Sequence, residues 1–168
     1  AHAIEPTAAT AFGCGAMYYK KGDIDKSIEY FDNAIELEQD PIQKSEYCYT
    51  AAQVLFSDKK LSKAKQYARK AIENNAEYGE PYILIAQMYA TSPNWSDEAA
   101  LNKCTYFAVI DKLQKAKSVD PNLAEKANEL ISTYSRYTPK DEDLFFIGIK
   151  KGDAVTIGGW IGETTTVR

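Results

Sequence analysis

The fold of this chain is decided by residues 15–41, which read GAMYYKKGDIDKSIEYFDNAIELEQDP. The apolar residues in the second half of this stretch recur at the spacing of one helix face: Ile24, Ile28, Phe31 and Ile35. A Lys-Gly-Asp sequence stands just before them, and glycine in such a position is typical of a short turn. The stretch therefore predicts two helices joined by a tight link, which favours an antiparallel pair.

The same organisation extends along the chain. Pro41, Pro81 and Pro121 recur at an equal spacing of 40 residues. Each stands just ahead of an amphipathic run, where proline suits the start of a helix. The pattern predicts helices over residues 7–21, 24–38, 41–57, 61–74, 80–91, 97–118 and 121–136. We therefore expect an all-α fold with a regular helical repeat.

Composition and charge restrict the partners. The 168 residues are 45% hydrophobic and 26% charged, which is typical of a globular domain. The net charge of −4 comes from interleaved acidic and basic residues, so the chain lacks the basic surface that nucleic acid requires. No apolar run approaches the ~20 residues of a membrane span. We expect neither a nucleic-acid partner nor direct insertion of this chain into a membrane.

The residues that most enzymes use are scarce. His2 is the single histidine, so a Ser-His-Asp triad and a paired-histidine zinc site both lack parts. Cys14, Cys48 and Cys104 lie far apart without a CxxC pair, which favours buried thiols over a disulfide or metal site. We expect no enzyme activity, no metal and no cofactor. The alternative is an enzyme or ligand-binding domain that uses the segment from Trp95 to Cys104 as a pocket.

Three units of similar pattern follow one another. The first contains Gly15, Tyr18, Gly22, Ser27, Phe31 and Ala34. The second contains Ala52, Leu55, Lys59, Ala64, Ala68 and Ala71. The third begins with Tyr82, Ile85, Ala86 and Tyr89, is interrupted by an insertion, and resumes with Tyr106, Val109, Leu113, Ala116 and Pro121. In their order of small, aromatic and turn residues, these two-helix units resemble the tetratricopeptide repeat.

The resemblance implies a right-handed superhelix of three antiparallel helix pairs, closed by a capping helix within residues 1–138. Residues 139–168 change character because glycines crowd this end of the chain. They predict a small appendage, with a short helix from Asp141 to Ile149 and a β-hairpin. This ending resembles the C-terminal segment of exported tetratricopeptide-repeat proteins from Gram-negative bacteria. That likeness implies a periplasmic or envelope location, with the cytoplasm as the alternative.

The hairpin is expected to turn at Gly158-Gly159, between a strand from Ala154 to Ile157 and one from Trp160 to Arg168. A two-residue turn explains this glycine pair better than a phosphate loop, because no Gly-Lys-Ser/Thr ending follows. The apolar side of the hairpin, together with Leu144, Phe145 and Phe146, is expected to pack on the helix over residues 122–137. The alternative is an open edge strand, Thr164 to Val167, that pairs with a partner.

The resemblance also implies a binding groove, because members of this family bind protein or peptide partners along the inner face of the first helix of each pair. The matching positions here are Phe12, Ala16, Tyr19, Lys20, Tyr49, Gln53, Phe56, Ile83, Gln87 and Ala90. Chaperone adaptors of the family hold the terminal carboxylate of a peptide with lysine, arginine and asparagine, and most of these positions differ here. We expect a non-enzymatic protein-interaction scaffold with an aromatic groove. The alternative is a structural subunit of a bacterial envelope assembly that uses its tail.

Overall fold

The computed structural model describes residues 5–168, so His2 lies outside the described residues. The chain divides into two compact units, Ala1–Ala76 and Glu77–Arg168. The first unit contains the helices α1 (Ala8–Lys20), α2 (Ile24–Leu37), α3 (Pro41–Ser57) and α4 (Leu61–Asn74). They form two antiparallel pairs, which confirms the predicted all-α class. The predicted boundary between the repeat domain and the C-terminal appendage, near residue 138, stays a prediction.

The second unit contains the helices α5 (Glu80–Ala90), α6 (Ala99–Lys103), α7 (Thr105–Val119), α8 (Ala124–Ser135) and α9 (Asp141–Phe146). A 3-10 turn at Pro121–Leu123 leads into α8. The strands β1 (Ala154–Thr156) and β2 (Thr164–Thr166) form an antiparallel two-stranded sheet. The predicted β-hairpin is therefore present at the C-terminal end of the chain.

Short polar side chains set the starts of the first three helices. The backbone N–H of Thr10 donates to Thr7 Oγ1 at 3.1 Å, and Thr7 N–H donates back to Thr10 Oγ1 at 2.9 Å. Asp23 and Asp40 accept backbone N–H bonds at the starts of α2 and α3. Such caps satisfy N–H groups that lack a partner inside the helix, which explains why the sequence predicts these starts closely.

The first helix pair is built on a close approach at Gly15. Ser27 Oγ on α2 donates to the carbonyl oxygen of Gly15 on α1 at 2.7 Å. The ring of Phe31 is 1% exposed and lies against the same glycine. A Cβ atom at Gly15 would stand 2.6 Å from two atoms of this ring, so only glycine permits the two helices to approach this far.

The second pair uses alanine for the same purpose. Five alanines of α3 and α4 are fully buried: Ala51, Ala52, Ala64, Ala68 and Ala71. Small side chains at these positions let the helices approach closely, as the repeat pattern predicts. The pair joins the first through α3, where the ring of Tyr47 stacks on that of Phe12 at 4.6 Å between centroids. In addition, Tyr67 Oη on α4 donates to Asp32 Oδ1 at 2.5 Å.

The predicted single helix over residues 97–118 is wrong, because α6 ends at Lys103 and α7 starts at Thr105. The side chain of Asn102 explains the early ending of α6. Its Oδ1 accepts the backbone N–H groups of Trp95 and Ser96, at 3.0 and 2.8 Å. The indole of Trp95 donates to Thr105 Oγ1 at 2.9 Å. These bonds fold the insertion back onto the helix break, which periodicity alone does not reveal.

The predicted two-residue turn at Gly158-Gly159 is also wrong. Thr156 pairs with Thr164, and residues 157–163 form a longer connection. Ile157 and Ile161 in this connection are buried, at 0% and 3% exposure. The burial of these two side chains stabilises the longer connection, since a two-residue turn would make Ile161 part of a strand.

The hairpin packs on α7 and not on the helix over residues 122–137, so that expectation is wrong. Asp111 on α7 accepts a hydrogen bond from Thr165 Oγ1 at 2.6 Å and pairs with Arg168. Lys112 Nζ lies 2.5 Å from Glu163 Oε1. Two charged residues of α7 therefore hold the end of the chain, and β2 lies against this helix.

The close approach at Gly15 leads to a first prediction with a matched control. Gly15→Ala should lower the free energy of unfolding by about 1–3 kcal/mol, because the new methyl group overlaps the buried Phe31 ring. Gly13→Ala, in the same helix, meets no atom within 4 Å and should raise the free energy of unfolding by about 0.5–1 kcal/mol. Urea denaturation monitored by circular dichroism measures both changes. A Gly15→Ala variant as stable as Gly13→Ala would contradict the proposed close packing.

Candidate functional site

The predicted groove residues of α1 divide into a buried and an exposed part. Phe12 is half-buried, and its ring lies 5.3 Å from that of Phe31 and 4.6 Å from that of Tyr47. Ala16 is half-buried, whereas Lys20 is exposed and Tyr19 is 42% exposed. Phe12 thus contributes to packing between helices, while the C-terminal half of α1 offers an aromatic ring and an ammonium group to a ligand.

The predicted groove residues of α3 lie on one helix face, since Tyr49, Gln53 and Phe56 are spaced by four and three residues. Gln53 is exposed, and the other two are half-buried. In the same helix, Ala52 and Leu55 are buried. The first unit therefore presents aromatic rings and one amide on the inner positions of α1 and α3.

The remaining predicted groove residues belong to α5, in the second unit. Ile83 is 2% exposed and belongs to the core, so its side chain offers no surface to a ligand in this structure. Gln87 and Ala90 are half-buried. A role for any of these three in binding stays a prediction.

The hydroxyl groups near the first unit's core are held in their neutral form. Burial and the hydrogen bond to Asp32 raise the pKa of Tyr67 far above its ordinary value. Burial is also the main reason why the pKa of Tyr47 is raised. Neither phenol can act as a general base near pH 7, because a general base must be deprotonated near the working pH and both phenols stay protonated there.

The buried thiols are equally unreactive. Burial raises the pKa of Cys48 to about 11. Burial raises the pKa of Cys104 to about 11 as well. Since the thiolate is the reactive form, both side chains behave as small apolar core residues near pH 7. Cys14 is partly exposed.

The alternative pocket corresponds to a recess near the insertion. A cavity of about 360 Å³ opens there, next to Lys103, Tyr106, Arg136 and Tyr137. Burial is the largest cause of the raised pKa of Tyr106. Within residues 5–168, no group of three or more histidine, cysteine, aspartate and glutamate side chains could hold a metal ion. In the same residues, no helix is long and apolar enough to cross a membrane.

Two-helix units that meet through small residues define a helical-repeat protein. The family model described as tetratricopeptide repeat matches residues 15–41 and 45–78, so the two helix pairs of the first unit are tetratricopeptide repeats. A curated relative, stress-induced-phosphoprotein 1 of Caenorhabditis elegans, is 36% identical over 80 residues. The aligned part covers 48% of this chain and only 24% of the relative.

Solved structures of tetratricopeptide-repeat domains have the same fold. The Sgt2 domain from Aspergillus fumigatus has a TM-score of 0.59 at 14% identity, over 94% of this chain and 93% of its own. The TPR2B domain of yeast Sti1, in complex with pHsp70, has a TM-score of 0.59 at 18% identity, with 77% and 96% covered. The first TPR of Spaghetti (RPAP3), bound to the HSP90 peptide SRMEEVD, has a TM-score of 0.56 at 17% identity, with 77% and 94% covered. Likeness at these identities shows the fold.

The thiol environments lead to a second prediction. A thiol reagent at pH 8 should modify Cys14 within minutes and leave Cys48 and Cys104 unmodified until the protein unfolds, because both are fully buried. Mass spectrometry of the native and the urea-unfolded protein counts the modified sites. In the Cys14→Ser variant the fast phase should disappear. Fast modification of Cys104 in the native protein would mean that this thiol is accessible, and would reopen the enzyme alternative.

The same thiols predict how stability changes with pH. In the folded protein the pKa of both thiols is about 11, whereas the ordinary value is 9.0. Between these two values the folded state keeps protons that the unfolded state loses, so this contribution to stability is lost as the pH rises. Urea titrations at pH 8.5 and 10.5 should show a smaller decline for the Cys48→Ala/Cys104→Ala variant than for the parent protein. An equal decline in both proteins would contradict the raised pKa values.

Proposed function

We propose that this chain is a non-enzymatic protein-interaction scaffold whose first unit binds an extended peptide segment of a partner protein along α1 and α3. The observation that carries the proposal is the placement of aromatic side chains on the inner positions of tetratricopeptide repeats. Tyr19, Tyr49 and Phe56 retain accessible surface there, although neighbouring residues of the same helices are buried. Rigid aromatic rings bury a large area at a small cost in side-chain entropy, which suits a binding surface.

The similar structures support this class of function. The Sti1 domain is described in complex with pHsp70, and the Spaghetti domain with an HSP90 peptide. Both neighbours therefore hold a ligand derived from another protein. The ligands of these domains do not identify the partner of this chain, since sequence identity to the domains is below 20%.

The chemistry of the groove favours a peptide with apolar side chains. Of the proposed lining residues in the first unit, Tyr19, Tyr49 and Phe56 are aromatic, and Gln53 supplies an amide that can bind a peptide backbone. Lys20 is the one basic group among these positions. A carboxylate-gripping site needs several lysine, arginine and asparagine side chains at the inner positions, so we expect an apolar peptide and not an acidic one.

Of the ten predicted groove residues, Phe12, Ile83 and Ala16 have smaller roles in the proposed binding. Phe12 packs between helices, and the buried Ile83 offers no surface. Ala16 provides room for a ligand because its side chain is small. Gln87 and Ala90 lie on α5 in the second unit, and their role in binding stays a prediction.

The fourth prediction tests the groove with a peptide selected from a random peptide library against the intact chain. Tyr19→Ala and Phe56→Ala should each weaken binding by about 1–2 kcal/mol, or about 5- to 30-fold, because each removes an aromatic contact. Leu37→Ala is the matched control, since Leu37 is 41% exposed on the second helix of the pair and Tyr19 is 42% exposed. Calorimetry measures the affinities, and thermal unfolding measures the stabilities. Weaker binding in all three variants, or lower stability with unchanged binding, would contradict the groove.

The fifth prediction concerns the kind of peptide. The acidic peptide SRMEEVD, which the Spaghetti domain binds, should bind this chain at least tenfold more weakly than the selected peptide. The physical reason is that Ala16, Tyr49 and Gln53 offer no positive charge to its carboxylates. A SRMEEVD affinity equal to that of the selected peptide would contradict an apolar groove, while the scaffold function itself would stand.

A second candidate is that the C-terminal hairpin contacts the partner, as in a structural subunit of a bacterial envelope assembly. The observation that favours it is the two-stranded sheet, in which β1 and β2 pair with each other. The outer edge of each strand is available to a further strand. Deletion of residues 140–168 that abolishes partner capture, without loss of stability, would support this candidate over the groove.

A further inference from the structure

The most exposed large apolar side chains among the described residues are two consecutive phenylalanines of α9. Phe145 is 77% exposed, and Phe146 is 85% exposed. The sequence pattern predicts that both rings are covered, so this expectation is wrong. Together the rings present roughly 300 Å² of aromatic surface. Monomeric proteins seldom leave contiguous apolar patches much larger than this uncovered, and such patches often mark interaction sites.

The two rings are held in place by the local fold. Leu144, the preceding residue, is 1% exposed and anchors the helix in the core. The chain then turns back tightly, with the Ile149 N–H donating to the Leu144 carbonyl at 2.9 Å and the Gly148 N–H donating to the Phe145 carbonyl at 3.0 Å. Gly148 has a φ of +78°, which glycine adopts without strain. A partner that covers the rings therefore does not need to order this segment first.

The same segment forms a cavity beside the rings. Leu144, Phe145, Phe146 and Ile149, which we name the phenylalanine patch, supply its apolar lining. The recess is open to solvent, and its volume is about 680 Å³. One surface thus carries both protruding aromatic rings and a recess that accepts such rings. A two-fold symmetric contact requires this property, since each copy must be complementary to itself.

The charges around the cavity also match a second copy. Asp141 and Glu142 contribute two negative charges to its lining, and Lys150 and Lys151 contribute two positive charges. Lys151 pairs with Asp141 of the same chain at 3.5 Å, but both side chains are more than two-thirds exposed, so this pair is weak. A strongly acidic or basic partner would meet two like charges. A second copy offers equal numbers of both signs and can pair each group with its opposite.

We propose that the phenylalanine patch is a self-association surface, through which two copies of this chain form a two-fold symmetric dimer. Phe145 and Phe146 of each copy enter the recess of the other, and the carboxylates of one copy face the ammonium groups of the other. The rings of two copies bury roughly 600 Å² of aromatic area. Stable interfaces need about 1,200 Å² or more, so the dimer is weak and depends on protein concentration.

Sedimentation velocity of the intact chain tests this proposal over a range of protein concentrations at low salt. The average sedimentation coefficient should rise from the monomer value towards the dimer value within the micromolar range. The Phe145→Ser/Phe146→Ser variant should stay monomeric throughout, with unchanged thermal stability because both rings are exposed. Ile42→Ser is the control, since Ile42 is 58% exposed on α3 and should leave the dimer unchanged. A parent protein that is monomeric at every concentration would overturn the proposal.

Charge reversal tests the proposed pairing between the carboxylates of one copy and the ammonium groups of the other. Asp141→Lys/Glu142→Lys makes the surroundings of the patch positive, and Lys150→Glu/Lys151→Glu makes them negative. Each variant alone should dimerise at least tenfold more weakly than the parent, whereas an equal mixture should form a mixed dimer. Variants that each dimerise as tightly as the parent, or a mixture that forms no mixed dimer, would overturn the two-fold arrangement.

Two other occupants of the patch give distinct results. Flotation with vesicles of phosphatidylcholine and phosphatidylglycerol tests whether the patch binds a lipid surface. If vesicle binding requires Phe145 and Phe146 in a protein that remains monomeric, the patch is a membrane-binding surface and not a self-association surface. Binding of the library-selected peptide should be unchanged in the Phe145→Ser/Phe146→Ser variant. If this variant loses the peptide and the parent does not dimerise, the patch is the peptide site, and both self-association and the groove are wrong.

Discussion

The approach of two helix backbones at Gly15 is the constraint on which the first unit depends. Because no Cβ atom stands there, Phe31 can fill the space beside the glycine and Ser27 can reach its carbonyl oxygen. The close contact fixes how α1 and α2 lie against each other, and hence which side of α1 remains free. The positions of Tyr19 and Lys20 on the surface follow from a contact one helical turn earlier. The exposure of the proposed binding residues in this unit thus depends on the absence of a side chain at Gly15.

A different interaction organises the end of the chain. Asp111 and Lys112 are neighbours on α7, and they bind Thr165, Arg168 and Glu163 of the hairpin. Two three-residue strands are marginal in water, so the hairpin requires a surface. The charged pairs are only partly buried and contribute little alone, but the buried Val155, Ile157 and Val167 add apolar area. The hairpin is held by its packing, and the charges select where it packs.

Local signals account for what the sequence predicts well. Capping residues and prolines mark helix starts, and the small residues of the repeat mark helix crossings, so the helices of the first unit agree with the prediction within a residue or so. Non-local contacts account for the errors. The break at Cys104 depends on bonds from Asn102 to the insertion, and the hairpin connection depends on the burial of Ile161. The turn of the second repeat also departs from the local pattern, because Lys59 adopts a φ of +61° at the position that Gly22 occupies in the first repeat.

The candidate site shows the same division between local and tertiary information. Sequence spacing identifies Tyr19, Gln53 and Phe56 as members of helix faces, but it does not reveal that Phe12 is used in packing or that Ile83 is buried. Sequence spacing also fails to predict the exposure of Phe145 and Phe146. An amphipathic pattern indicates that apolar side chains are buried, but it does not indicate whether they are buried by the same chain or by another molecule. In a repeat protein each unit contacts only its neighbours, so apolar surface at an end is satisfied by a cap or by another molecule. The rings at the predicted groove positions and the exposed rings of α9 therefore lead to two separate proposals, a peptide bound by the first unit and self-association through α9.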